Sequence, residues 1–150
     1  MKFDWSNYLK LAQTLLDEVN TSLSQVNDPA CTPVDKEIIE AKLRCLISRA
    51  YYSVFCLARN YLRDVEQDLE VQKSQEYDVK IHGYVMNKFR ERGGKDYRDI
   101  GVILDNMRRT RNQVDYDDYV RFNLLTKAKN AVESANYAIE ILKKLENYQK

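Results

Sequence analysis

Leu43, Ile47, Ala50, Val54, Leu57 and Tyr61 recur at spacings of three and four residues, the period of one face of an α-helix. A second line, Cys45, Arg49, Tyr52 and Cys56, runs beside the first. Together they predict a long helix over about Asp35 to Arg63 that is apolar over a wide arc. Such a helix has to lie centrally and pack on two sides. The same arc leads us to expect a homodimer, because one flank of a small bundle is too narrow to cover it.

The rest of the chain supplies neighbours of the same kind. A first helix is expected from about Phe3 to Val26, with Tyr8, Ala12, Leu15, Val19, Leu23 and Val26 inward. Asn27-Asp28-Pro29 stops it, and Pro33 closes the loop. Residues Asp64 to Asp78 are charged, with few apolar positions, and read as a mobile connection that continues the helix for a few turns at most. A short helix follows from about Ile81 to Arg92, with Val85 and Phe89 inward, and Gly93-Gly94 terminates it. Further helices cover Tyr97 to Tyr116 and Phe122 to about Tyr148, the last with Ala128, Val132, Ala135, Ile139, Leu142 and Leu145 inward. Small residues at 128, 131, 135 and 138 allow it to approach a neighbour closely.

Gly (4) and Pro (2) are too scarce for the turns of an all-β fold. The expected architecture is all-α, an antiparallel up-and-down bundle of four to five helices in a single domain spanning 1–150. No stretch approaches the 18 or so apolar residues of a membrane span. The N-terminus lacks a signal peptide's apolar segment, so a cytoplasmic location is expected. With 24 basic and 23 acidic residues the net charge is +1, which gives no global field for nucleic acid. Any such contact needs a local patch. Cys31, Cys45 and Cys56 are odd in number and lack metal-ligand spacing, and no cofactor is expected. Cys45 and Cys56 stand about 16 Å apart along one helix, too far for a disulfide.

The candidate patch lies near the end of the helix that closes at Tyr116. Its apolar positions are Ile100, Ile103, Leu104, Met107 and Val114, and Arg111 falls roughly 20° from the centre of that stripe. A guanidinium there cannot sit in a dry core without a partner. It points into a cleft or an interface, or it is held by a carboxylate such as Asp115. Arg108 lies at the edge of the stripe and Arg109 opposite it, facing solvent. In the long helix, Arg49 to Phe55 form a polar-aromatic knot in which Tyr51 and Tyr52 diverge by about 100°. His82 is the only histidine, hence the only near-neutral general base. A lone histidine at a helix start is more often a capping or packing residue.

These pieces, Ser48-Arg49-Ala50-Tyr51-Tyr52-Ser53-Val54-Phe55 with Ala58-Arg59, then His82-Gly83 with Phe89, then Arg111-Asn112-Gln113-Val114-Asp115-Tyr116, resemble the HEPN superfamily of small helical nucleotide- and RNA-associated domains. The resemblance implies an antiparallel bundle that pairs as a homodimer, with the polar ends of the long helices converging on a cleft. Catalytic members are metal-independent endoribonucleases that use an arginine, an adjacent polar residue and a histidine four to six residues beyond the arginine. Arg111 and Asn112 match the first two. Tyr116 stands at the histidine position, so the chain looks more like the branch ending in Arg…Asp-Tyr.

A tyrosine's ordinary pKa is about 10, far from the neutral range that cleavage by a 2′-hydroxyl requires. His82 can stand in only if the fold brings it to the same place. The residues expected to contact a ligand are therefore Arg49, Tyr52, Arg108, Arg111 and Asp115, and those expected to act on it are Arg111, Asn112, Tyr116 and His82. The resemblance further implies RNA or a nucleotide as ligand. It implies a minimal nucleotidyltransferase as partner, within a toxin–antitoxin or defence pair. A helical dimer in which Arg111 and Asp115 merely lock an interface is the plainer alternative.

Overall fold

The computed structural model describes residues 1–26, 29–30, 35–74 and 78–149. It contains α1 (Ser6–Ser24), α2 (Lys36–Asp64), α3 (Leu69–Lys73), α4 (Val79–Glu91), α5 (Lys95–Tyr116) and α6 (Leu124–Tyr148), and no strand among the described residues. The fold is all-helical, with six helices where four to five were expected. The Asn27–Asp28 stop, Cys31 and Pro33 lie outside the described residues.

Short polar side chains start most of these helices. Asp35 accepts from the backbone N–H groups of Glu37 and Ile38, Asp68 from Glu70 and Val71, Asp78 from Lys80, and Asn123 from Thr126. Each carbonyl or carboxylate oxygen satisfies donors that have no partner within the first turn.

α2 is the centre. Leu46, Ile47, Ala50, Tyr51, Val54, Phe55, Ala58, Tyr61 and Leu62 are buried along it, and α1, α5 and α6 pack around it. α1 runs antiparallel to α2, as the ion pairs Lys2–Asp64 and Lys42–Glu18 show. That register sets the end of α1 opposite the first turn of α2. Among the described residues little remains there to cover Leu23 and Val26, which were expected inward and are exposed. The inward face of α1 is Leu9, Ala12, Leu16 and Val19, so Tyr8 and Leu15 sit only partly buried at its edge. Cys45 is also exposed, while Cys56 is buried, and both are free thiols.

α6 buries its small residues Ala128, Ala131, Ala135 and Ala138 as well as its larger apolar side chains. Up-and-down order holds for α1–α2 and for α4–α5–α6. Between α2 and α4 the chain doubles back, so α4 lies parallel to α2, with His82 beside Phe55 and Phe89 near Tyr61.

The connection expected to be mobile contains α3, which buries Val71. Asp68 caps α3 and accepts hydrogen bonds from the Tyr84 hydroxyl at 3.0 Å on both carboxylate oxygens, tying α3 to α4.

Glycine matters at the next turn. Gly94 has φ 102°, a conformation that residues with a Cβ rarely adopt, and it opens α5 directly after α4. Gly101 then lets α5 cross α4 closely: a Cβ there would lie 2.9 Å from the backbone nitrogen of Arg90 and 3.2 Å from the Met86 carbonyl oxygen. Gly101→Ala is expected to destabilise the protein by about 1 kcal/mol, overpacking outweighing the helix propensity gained. Denaturant unfolding measures this, and a more stable variant would contradict the close crossing.

Candidate functional site

The antiparallel pairing of α2 with α5 sets Tyr52 beside Arg111 and Ser48 beside Asp115. Arg111 has a side chain only 13% exposed, and its Nε lies 2.8 Å from Asp115 Oδ2. Ser48 Oγ donates to the same carboxylate oxygen at 3.1 Å. One terminal nitrogen of Arg111 donates to Asn112 Oδ1 at 2.9 Å and the other to the Tyr52 hydroxyl. The guanidinium also stands 4.9 Å from the Tyr52 ring centroid and 5.4 Å from that of Tyr116. Arg111 thus combines two of the arrangements its position allows, paired with Asp115 on one side and facing a cleft on the other.

The end of α5 is held from α2. Arg44 donates to the carbonyl oxygens of Val114 at 2.9 Å, Asp117 at 2.8 Å and Asp118 at 3.2 Å, while its Nε bonds Glu40 at 2.8 Å. A guanidinium here satisfies late carbonyls of the helix and complements its negative end.

The cleft has a volume of about 860 Å³ and takes in four arginines, Arg49, Arg59, Arg108 and Arg111. Aromatic rings brace three of them. Arg49 lies between Tyr8 and Tyr52, 4.9 and 5.2 Å from their centroids. Arg59, only 5% exposed, lies between Trp5 and Phe55 at 5.9 and 6.0 Å. Among the described residues, neither Arg49 nor Arg108 forms an ion pair. The lining contains a single carboxylate among the described residues, Asp117. Arg49 and Arg108, without a carboxylate partner among the described residues, keep a positive charge in the cleft of a chain whose net charge is only +1.

His82 lines the same cleft. Its ring stacks on Phe55 with centroids 4.0 Å apart, and Nδ1 is 2.6 Å from the Tyr51 hydroxyl. Burial, followed by the charges of Arg108, Arg111 and Arg59, holds the imidazole down to about pKa 4. Burial also pushes the Tyr51 hydroxyl above its ordinary value. The hydrogen bond therefore joins two neutral groups at pH 7.

Because the folded pKa lies below the unfolded value of 6.5, the unfolded chain binds the extra proton between pH 6.5 and 4. Stability from this group is complete above pH 6.5 and is lost as the pH falls toward 4. With allowance for solvent at the cleft mouth, acidification from pH 7 to 5 is expected to cost about 1 kcal/mol. His82→Gln should remove that part of the pH dependence in thermal unfolding. An unchanged slope would contradict the neutral, enclosed imidazole.

Arg49, Tyr52, His82, Arg108, Arg111, Asn112 and Tyr116 all line one cleft, although they come from three helices. Asp115 stands behind Arg111 and is not among the lining residues. Arg109 is 75% exposed and pairs with Asp105 at 2.9 Å. Sequence reasoning missed Trp5, Tyr8, Arg44 and the role of Arg59. A signal for Arg59 existed, since the line Cys45, Arg49, Tyr52, Cys56 reaches it after three more residues. For Trp5 and Arg44 no periodicity points to the site. Among the described residues, no three His, Cys, Asp or Glu side chains come together as metal ligands. No described helix is long and apolar enough to cross a membrane.

Comparison of the chain with protein-family models, curated proteins and solved structures finds no match in any of the three.

Proposed function

We propose that the protein is a HEPN-like, homodimeric module that binds RNA or a nucleotide through phosphate groups held in the arginine cleft. The carrying observation is the convergence of four arginines, aromatic rings, Asn112 and His82 on one cleft of about 860 Å³. Guanidinium groups bind phosphate in bidentate fashion, and those left without carboxylate partners keep their charge for a ligand. The resemblance of the three sequence segments points the same way and adds a minimal nucleotidyltransferase as the partner to test.

A second reading, a metal-independent endoribonuclease, draws on the position of His82 beside Arg108 and Arg111. A neutral imidazole accepts a proton, but at about pKa 4 it is a weak base and a poor acid at pH 7. Phosphate in the cleft would offset the arginine charges and raise that pKa toward the useful range.

The test is fluorescence polarisation with labelled single-stranded RNA and with a labelled nucleoside triphosphate at low salt. Arg108→Gln is the informative variant, because Arg108 makes no ion pair among the described residues. Its affinity is expected to fall about tenfold, the effect of roughly 1.4 kcal/mol. Wild-type affinity in the variant would overturn the phosphate site. The same RNA, followed over time with and without EDTA, decides the second reading: slow cleavage that persists in chelator supports it. Sedimentation equilibrium decides the dimer, and a monomer at tens of micromolar would remove it.

A further inference from the structure

We propose that the cleft takes a single-stranded nucleic-acid segment of about four nucleotides, not a mononucleotide, with Arg49, Arg111, Arg108 and Arg59 meeting successive phosphates. This rests on the phosphate-binding reading above and adds the length of the ligand and the line it follows.

Arg49 and Arg59 are ten residues apart on α2, a rise of about 15 Å. α5 runs antiparallel beside them. The contact of Arg111 with Tyr52 and of Asp115 with Ser48 places Arg111 at the level of Tyr52. One helical turn back, Arg108 passes Gly83, next to His82, whose ring stacks on Phe55. The order along the cleft is therefore Arg49, Arg111, Arg108, Arg59. A stacked strand rises roughly 3.4 Å per nucleotide, so a row of about 15 Å is the length of about four nucleotides. The clustered phosphates of one nucleotide reach only part of that row.

The walls fit the same ligand. A positively charged groove interleaved with aromatic rings is the usual way to hold a single strand, because phosphates follow the cations and bases stack on rings. Tyr8, Tyr52 and Trp5 stand beside the row and also brace its arginines. Trp5 stands at the Arg59 end. The segment that carries it is fixed by the Lys2–Asp64 ion pair at 2.7 Å and by edge-on packing of Trp5 against Phe3 and Tyr8. At about 860 Å³ the cleft also lies near the upper end of small-molecule pockets, roughly 300–1,000 Å³.

Trp5 is the chain's one tryptophan, so its fluorescence reports occupancy of the cleft. The probes are uridine monophosphate and 5′-phosphorylated oligouridylates of two, four, six and eight nucleotides, titrated into the protein. Affinity is expected to rise about 30-fold from the monophosphate to the tetramer and then level off, since stacking and phosphate contacts accumulate only along the row. The tetramer's log affinity against log salt should have a slope of about −2 to −3, at roughly −0.7 per phosphate neutralised. Arg49→Gln, at the other end of the row, should weaken the tetramer several-fold and lower its salt slope by about 0.7.

A monophosphate that binds as tightly as the tetramer, and loses binding in Arg108→Gln, would overturn this inference and leave the phosphate site standing. Affinity that climbs without a plateau to the octamer would overturn it as well. Failure of every probe to bind would overturn both readings.

Discussion

Arg111→Ala is expected to lower the unfolding free energy by about 2–3 kcal/mol and the melting temperature by roughly 5–10 °C. Removing one partner of a fully buried ion pair costs about 3–5 kcal/mol, because the other charge is left in a poorly solvated place. Here the pair is not fully buried: the side chains are 13% exposed for Arg111 and 26% for Asp115, which reduces the cost. The substitution also removes donors to Asn112 and Tyr52 and the guanidinium stacked between Tyr52 and Tyr116. Among the described residues, Asp115 then keeps only its hydrogen bond from Ser48.

Arg111→Lys separates charge from shape. A lysine keeps the positive charge but loses the planar fork, so it should recover part of the stability and little of the phosphate affinity. Thermal unfolding and RNA titration of both variants provide the check. An Arg111→Ala protein with unchanged melting temperature and unchanged affinity would mean that the residue is a surface charge, against the geometry described above.

The second large effect is expected at a residue outside the cleft. Arg44→Ala should cost about 2–3 kcal/mol and loosen the end of α5, where Arg111 to Tyr116 sit. Hydrogen bonds from a charged donor contribute roughly 1.5–3 kcal/mol each, less where water can replace them. Arg44 makes three to backbone carbonyls and a fourth contact to Glu40, with its side chain 20% exposed. The Val114 carbonyl is the one least open to water, since its residue is 3% exposed.

Hydrogen exchange distinguishes this role from general destabilisation. Amides of residues 112–118 should lose protection in Arg44→Ala before those of Phe89 or Ala135 do. Arg44→Lys should restore little, because one ammonium cannot span three carbonyls. Uniform loss of protection along the chain would instead place Arg44 among ordinary packing residues.

Tyr8 and Arg59 mark the boundary between what periodicity reveals and what it conceals. Both stand on the edge of an apolar stripe, where spacing alone assigns a side chain to the core. In the folded protein each is drawn toward the cleft by its partner: Tyr8 lies against Arg49, and Arg59 lies between Trp5 and Phe55. Arg49 and Trp5 are tens of residues away along the chain from the side chains they meet, and only Phe55, one turn from Arg59, is local. A ring–guanidinium contact carries no periodic signature, unlike the burial of a whole helix face.

The sequence by itself determined the all-helical class, the central place of the helix over Asp35 to Arg63, and five helices at nearly their observed limits. It did so because helix period, capping side chains and glycines act within a few residues of one another. It also singled out Arg111, since a charge on an apolar stripe contradicts its own surroundings.

Only the tertiary structure decided that α4 runs parallel to α2, and so that His82 reaches the same cleft as Arg111. That outcome depends on α3 and Asp68, a link of one helical turn with one capping carboxylate, too short to show a period. The gathering of four arginines is likewise a property of packing. A net charge of +1 conceals it, because charge counted along a chain says nothing about where helix crossings bring the cations together.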